Sequence, residues 1–93
     1  MKNDSENTET AILARSINPH TATWTPDAAR SILEISLSKK DAQRRDVLAE
    51  KARGGTLSAG EESELENFRH VGRILEMMKA KARISLQKAN LAS

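Results

Sequence analysis

Apolar positions recur at helical spacing from residue 24 onward, and each run opens with its own start signal. Ala29, Ile32, Leu33 and Leu37 follow Thr25-Pro26-Asp27: an N-cap threonine, a proline at the first helical position where no N–H is needed, and an acid facing the positive helix end. Trp24, just before the cap, is placed to fold over Ala29 as a hydrophobic staple. The pattern predicts a helix over 26–37. Ser38 with Asp41 three residues later marks a second start, and Ala42, Leu48, Ala49 and Ala52 form a stripe of mostly small residues, so a helix is expected over 39–53. Gly54-Gly55 ends it, because glycine tolerates the left-handed conformation at a helix C-terminus.

Ser58-Ala59-Gly60-Glu61 is a complete capping box and opens the longest element, predicted over 59–89. At ~1.5 Å per residue this helix approaches 45 Å, more than a compact chain of this size spans, so part of it is expected to project or to pair with something else. Leu65, Phe68, Val71, Gly72, Ile74, Leu75, Met78, Ala82 and Leu86 cover about half of its circumference and are read as the core contact. Met77, Ile84 and Leu91 form a second line at heptad spacing; with Ile74 they are the candidate partner-binding anchors of a coiled-coil-like contact.

Ahead of Trp24 the signals are weaker. Ala11, Ile12, Leu13, Ala14 and Ile17 fit either a short helix or an extended segment before Asn18-Pro19, which stops a helix. The domain reading is therefore a disordered 1–10, a poorly structured lead segment 11–24, and a helical domain 25–90. The fold class is all-α, with two shorter helices packed on one long C-terminal helix and a homodimer expected.

Composition sharpens this picture. Thirteen of the 35 apolar residues are alanine, and Leu, Ile, Val and Phe together make up only 18 of 93 residues, so the core is thin and self-association or a partner is expected to complete it. Without cysteine there is no disulfide framework and no Cys-based zinc site. The polar, acidic N-terminus does not resemble a secretory signal and no apolar run approaches the ~18 residues of a membrane span, so the expected setting is cytoplasmic. The net charge of +2 conceals segregation: residues 61–68 sum to −4 and 69–93 to +5. Acids in the opening turns and bases toward the end of one helix complement its macrodipole, so the segregation alone does not call for nucleic acid.

Candidate chemistry is sparse. Glu66 and His70 stand one turn apart, but helix-bundle metal sites use i, i+3 spacing with further inward carboxylates, and a surface pair is the favoured reading. His20 has no recognisable partner. Gly54, Gly55 and Gly60 flank Thr56-Leu57-Ser58 between helices and lack the strand and lysine of a phosphate loop. No enzyme activity, catalytic residue, metal or cofactor is expected. Among the basic residues, Arg73, Lys81, Arg83 and Lys88 flank the anchor line and are candidate contacts to an anionic partner. With Arg69 and Lys79 they also support an alternative reading, a nucleic-acid-binding regulator, although no aromatic lies among them for base stacking.

The segment 28–88 resembles a family of short, mostly uncharacterised bacterial helical proteins. The resemblance rests on Ala28, Ala29, Ile32 and Leu33; on Leu48, Ala49, Lys51, Ala52, Arg53, Gly55, Thr56 and Leu57; on Glu64, Leu65 and Glu66; and on Gly72, Leu75, Lys81, Ala82, Arg83, Ser85 and Leu86. Phe68 stands where tyrosine is commoner, Ala80 where serine is, and Gly60 where a proline or acid is usual. Such proteins are often encoded beside an HNH-type nuclease, a layout similar to that of a toxin with its inhibitor. The resemblance thus implies a protein partner, and it implies no activity.

Overall fold

A computed structural model describes residues 7–18 and 24–92, the last two by their backbone alone. Four helices follow one another: α1 (Glu9–Ile17), α2 (Pro26–Leu33), α3 (Lys39–Arg53) and α4 (Ala59–Ala92). No strand occurs among the described residues. The fold is all-α, with a long C-terminal helix packing against shorter ones.

The helix starts sit where their caps place them. Thr25 Oγ1 accepts the Ala28 N–H at 3.3 Å with Pro26 at the first position, and Ser38 Oγ accepts the Asp41 N–H at 3.1 Å. At α4 the capping box closes in both directions: Ser58 Oγ accepts the Glu61 N–H at 3.1 Å, and Glu61 Oε1 accepts the Ser58 N–H at 3.0 Å. The end of α3 is a Schellman motif. Gly55 sits at φ 71°, its N–H reaches Ala52 O at 3.2 Å, and the Thr56 N–H reaches Lys51 O at 3.0 Å.

Two sequence expectations need correction. Residues 9–17, mostly in the segment expected to be poorly structured, are helical: Thr8 Oγ1 caps the Ala11 N–H, and Asn18 ends the helix in the left-handed region at φ 37°. Conversely, α2 stops at Leu33 instead of 37. Its last turn tightens to i, i+3 bonds, Glu34 N–H to Ser31 O and Ile35 N–H to Ile32 O, and Ser38 must be extended (ψ 157°) to cap α3, so the chain has to leave the helix before it. The expectation for residues 1–6 lies outside the described residues.

The chain divides into two compact units. One comprises Ser36–Gly72, an antiparallel hairpin of α3 and the first part of α4, with Leu48 and Leu65 buried. The other joins Met1–Ile35 to Arg73–Ser93 and buries Ala29 and Ala82. The core stripe read from the sequence is interrupted within the hairpin, where Val71 is 43% exposed. The cross-helix pairs Lys51–Glu61 and Arg44–Glu64 fix the register.

Candidate functional site

In the hairpin unit, charges tie the two helices together. Arg44 makes a two-pronged contact with Glu64, Nε to Oε2 at 2.7 Å and Nη2 to Oε1 at 2.9 Å, and Lys51 Nζ donates to Glu61 Oε2 at 2.5 Å. The Lys51 ammonium, followed by the Ser58 amide, holds the Glu61 carboxyl down at about 2. Hydrogen bonding from Arg44 lowers the Glu64 carboxyl in the same way and raises the Arg44 guanidinium in return. The acids opening α4, read from the sequence as macrodipole partners, therefore also clamp α3. A half-open cleft of about 400 Å³ lies on this unit, floored by Ala52, Leu57 and Leu65 and rimmed by Glu62, Glu66 and Arg69. It holds no histidine and no hydroxyl or thiol nucleophile, and none of the predicted partner anchors lines it.

The second unit is organised around one turn of α4. Lys81 is only 6% exposed. Its Nζ donates to the carbonyl of Ile17, the last residue of α1, at 2.7 Å, and stands 4.7 Å from the centroid of the Trp24 ring. A helix C-terminus carries unpaired carbonyls and partial negative charge, and an indole face attracts a cation, so the ammonium is held without a carboxylate partner among the described residues. One turn on, Ser85 is 2% exposed; its Oγ accepts the Trp24 N–H at 2.9 Å and donates to Lys81 O at 2.8 Å. Lys81 and Ser85 thus fasten the chain just before and just after the α1–α2 connection.

No family model, curated protein or solved structure matches this chain.

Of the anchors expected from the sequence, Ile74, Met77 and Ile84 are half-buried, and the Leu91 side chain lies outside the described residues. The large apolar side chains most open to solvent are others: Val47 and Val71 in the hairpin, Ile12 and Ile35 in the second unit. Of the basic contacts, Arg73, Arg83 and Lys88 are exposed, with Arg83 at 3.8 Å from Glu76, whereas Lys81 points inward and is committed to Ile17 and Trp24. Arg69 pairs with Glu66 at 3.8 Å.

His70 Nε2 is buried without a hydrogen-bond partner, so that nitrogen is not paired with Glu66. No group of three or more His, Cys, Asp or Glu side chains that could hold a metal occurs among the described residues, and no helix there is long and apolar enough to cross a membrane. His20 lies outside the described residues. Sequence reading missed the Lys81–Ser85 turn, though a signal was present: Ile74, Met78, Lys81 and Ser85 follow one another at i, i+4, i+7 and i+11, which puts both polar residues on an apolar face.

Proposed function

We propose that this chain is a small, non-enzymatic, cytoplasmic protein-binding module that self-associates and engages a second protein. The observation that carries the reading is the imbalance of its apolar surface. Among the described apolar residues only Ala29, Leu48, Leu65 and Ala82 are buried, two of them alanines, while Ile12, Ile35, Val47 and Val71 are each more than 40% exposed. Single exposed apolar residues are ordinary; a chain with so thin a core has the stronger physical need of an external contact. Ile74, Met77 and Ile84, half-buried on α4, are the proposed anchors, with Arg73, Arg83 and Lys88 beside them to orient an acidic partner.

The resemblance to short bacterial helical proteins makes an HNH-type nuclease encoded beside the chain the candidate partner, with an inhibitor-like role. Titration calorimetry of the purified chain into that nuclease tests this. The reading expects binding with a negative heat-capacity change and little loss between low and physiological salt. Absence of binding to the nuclease, together with DNA or RNA binding that falls steeply with salt, would replace it with nucleic-acid recognition.

A further inference from the structure

We propose that α1 is a releasable strap, with Lys81 as its catch. A nine-residue helix is too short to persist in water on its own, and α1 contains no buried residue; Ala11, Leu13, Ala14 and Ile17 are half-buried and Ile12 is exposed. Its helical state therefore depends on docking. In the polar fastening the ammonium of Lys81 satisfies an unpaired carbonyl at the α1 C-terminus, so each group completes the other. When α1 leaves, its C-terminal carbonyls return to water and Lys81 regains hydration, so neither group is left buried and unpaired. A core contact differs in degree, because opening Leu48 or Leu65 exposes buried apolar side chains, whereas those of α1 are already partly open to water.

Release is thus a local event of the unit containing α1. It uncovers the Lys81 ammonium on its turn of α4, beside the Trp24 ring. A molecule that contacts this turn and α1 docked on it exclude one another. The strap does not depend on the protein-binding reading, since it concerns the chain alone.

Native-state hydrogen exchange on the full chain tests the strap. Amides of Ala14 to Ile17 should exchange at least tenfold faster than those of Leu48 and Leu65, through an opening that depends little on denaturant. Equal protection with the same denaturant dependence would make α1 part of one global unit and overturn the proposal. Lys81→Met tests the catch, because it keeps the length and apolar stem and removes the charge. Expected are a red shift and severalfold higher acrylamide quenching of Trp24, the only tryptophan, and at least tenfold lower α1 protection, with Leu48 and Leu65 amides changed less than twofold. Unchanged α1 protection would show that packing, not the ammonium, holds the strap. Loss of protection at Leu48 and Leu65 as well would make Lys81 a global core residue; either result defeats the catch.

Discussion

Val47 and Leu48 are neighbours on α3 with opposite fates, 49% exposed against fully buried, and truncating each to alanine isolates what the hairpin core contributes. Leu48→Ala removes the equivalent of three methylenes; at about 0.8 kcal/mol each the transfer loss is roughly 2.4 kcal/mol, and the cavity left behind brings the cost to about 3 kcal/mol. That is most of the roughly 3 to 5 kcal/mol that so small a core supplies. In thermal terms, at ~4–8 °C per kcal/mol for a domain of this size, the midpoint falls by about 12 °C or more. Val47→Ala loses little burial and gains helix propensity, so its change should stay within about 0.5 kcal/mol. Urea unfolding followed by circular dichroism, at one fixed protein concentration so that association does not confound the comparison, reads both. A Leu48→Ala loss below about 1 kcal/mol, or equal losses for the two variants, would refute the claim that Leu48 anchors α3.

Three further outcomes follow from the same geometry. Gly55→Ala should destabilise by about 1 kcal/mol because φ 71° strains an L-residue although its Cβ meets nothing within 4 Å, while Gly54→Ala, at φ −83°, should be near neutral in the same urea assay. Glu61 titrates near 2 when folded against 4.5 for the free group, so its contribution is complete above pH 4.5 and is lost as pH falls toward 2; Glu61→Gln should flatten that part of the stability–pH curve. Ile84→Glu should weaken self-association with helical content retained, checked by light scattering beside circular dichroism; collapse of the helical signal would instead place Ile84 in the chain's own core.

The legible part of this fold is local. Thr25, Ser38 and Ser58 as caps, and Gly54-Gly55 as a stop, act within three or four residues, and α3 begins and ends where they put it. The boundary that was misplaced, the end of α2, was set by competition: Leu37 continued the apolar period, but Ser38 could not both extend the helix and cap the next one. Long-range pairing was not legible. Lys81 lies 64 residues from Ile17 and Ser85 lies 61 from Trp24, so the free cation expected on the surface became the centre of a packed turn. The cross-helix clamp of Arg44 and Lys51 on Glu64 and Glu61 escaped for the same reason, since one-helix electrostatics already accounted for those acids.

Sedimentation equilibrium of the full chain across the micromolar range tests most directly the claim that the thin core is completed by association. The account predicts a species of at least twice the 10.2 kDa chain mass, dissociating on dilution. A single 10.2 kDa species at every concentration, with full helical content and cooperative unfolding, would contradict it.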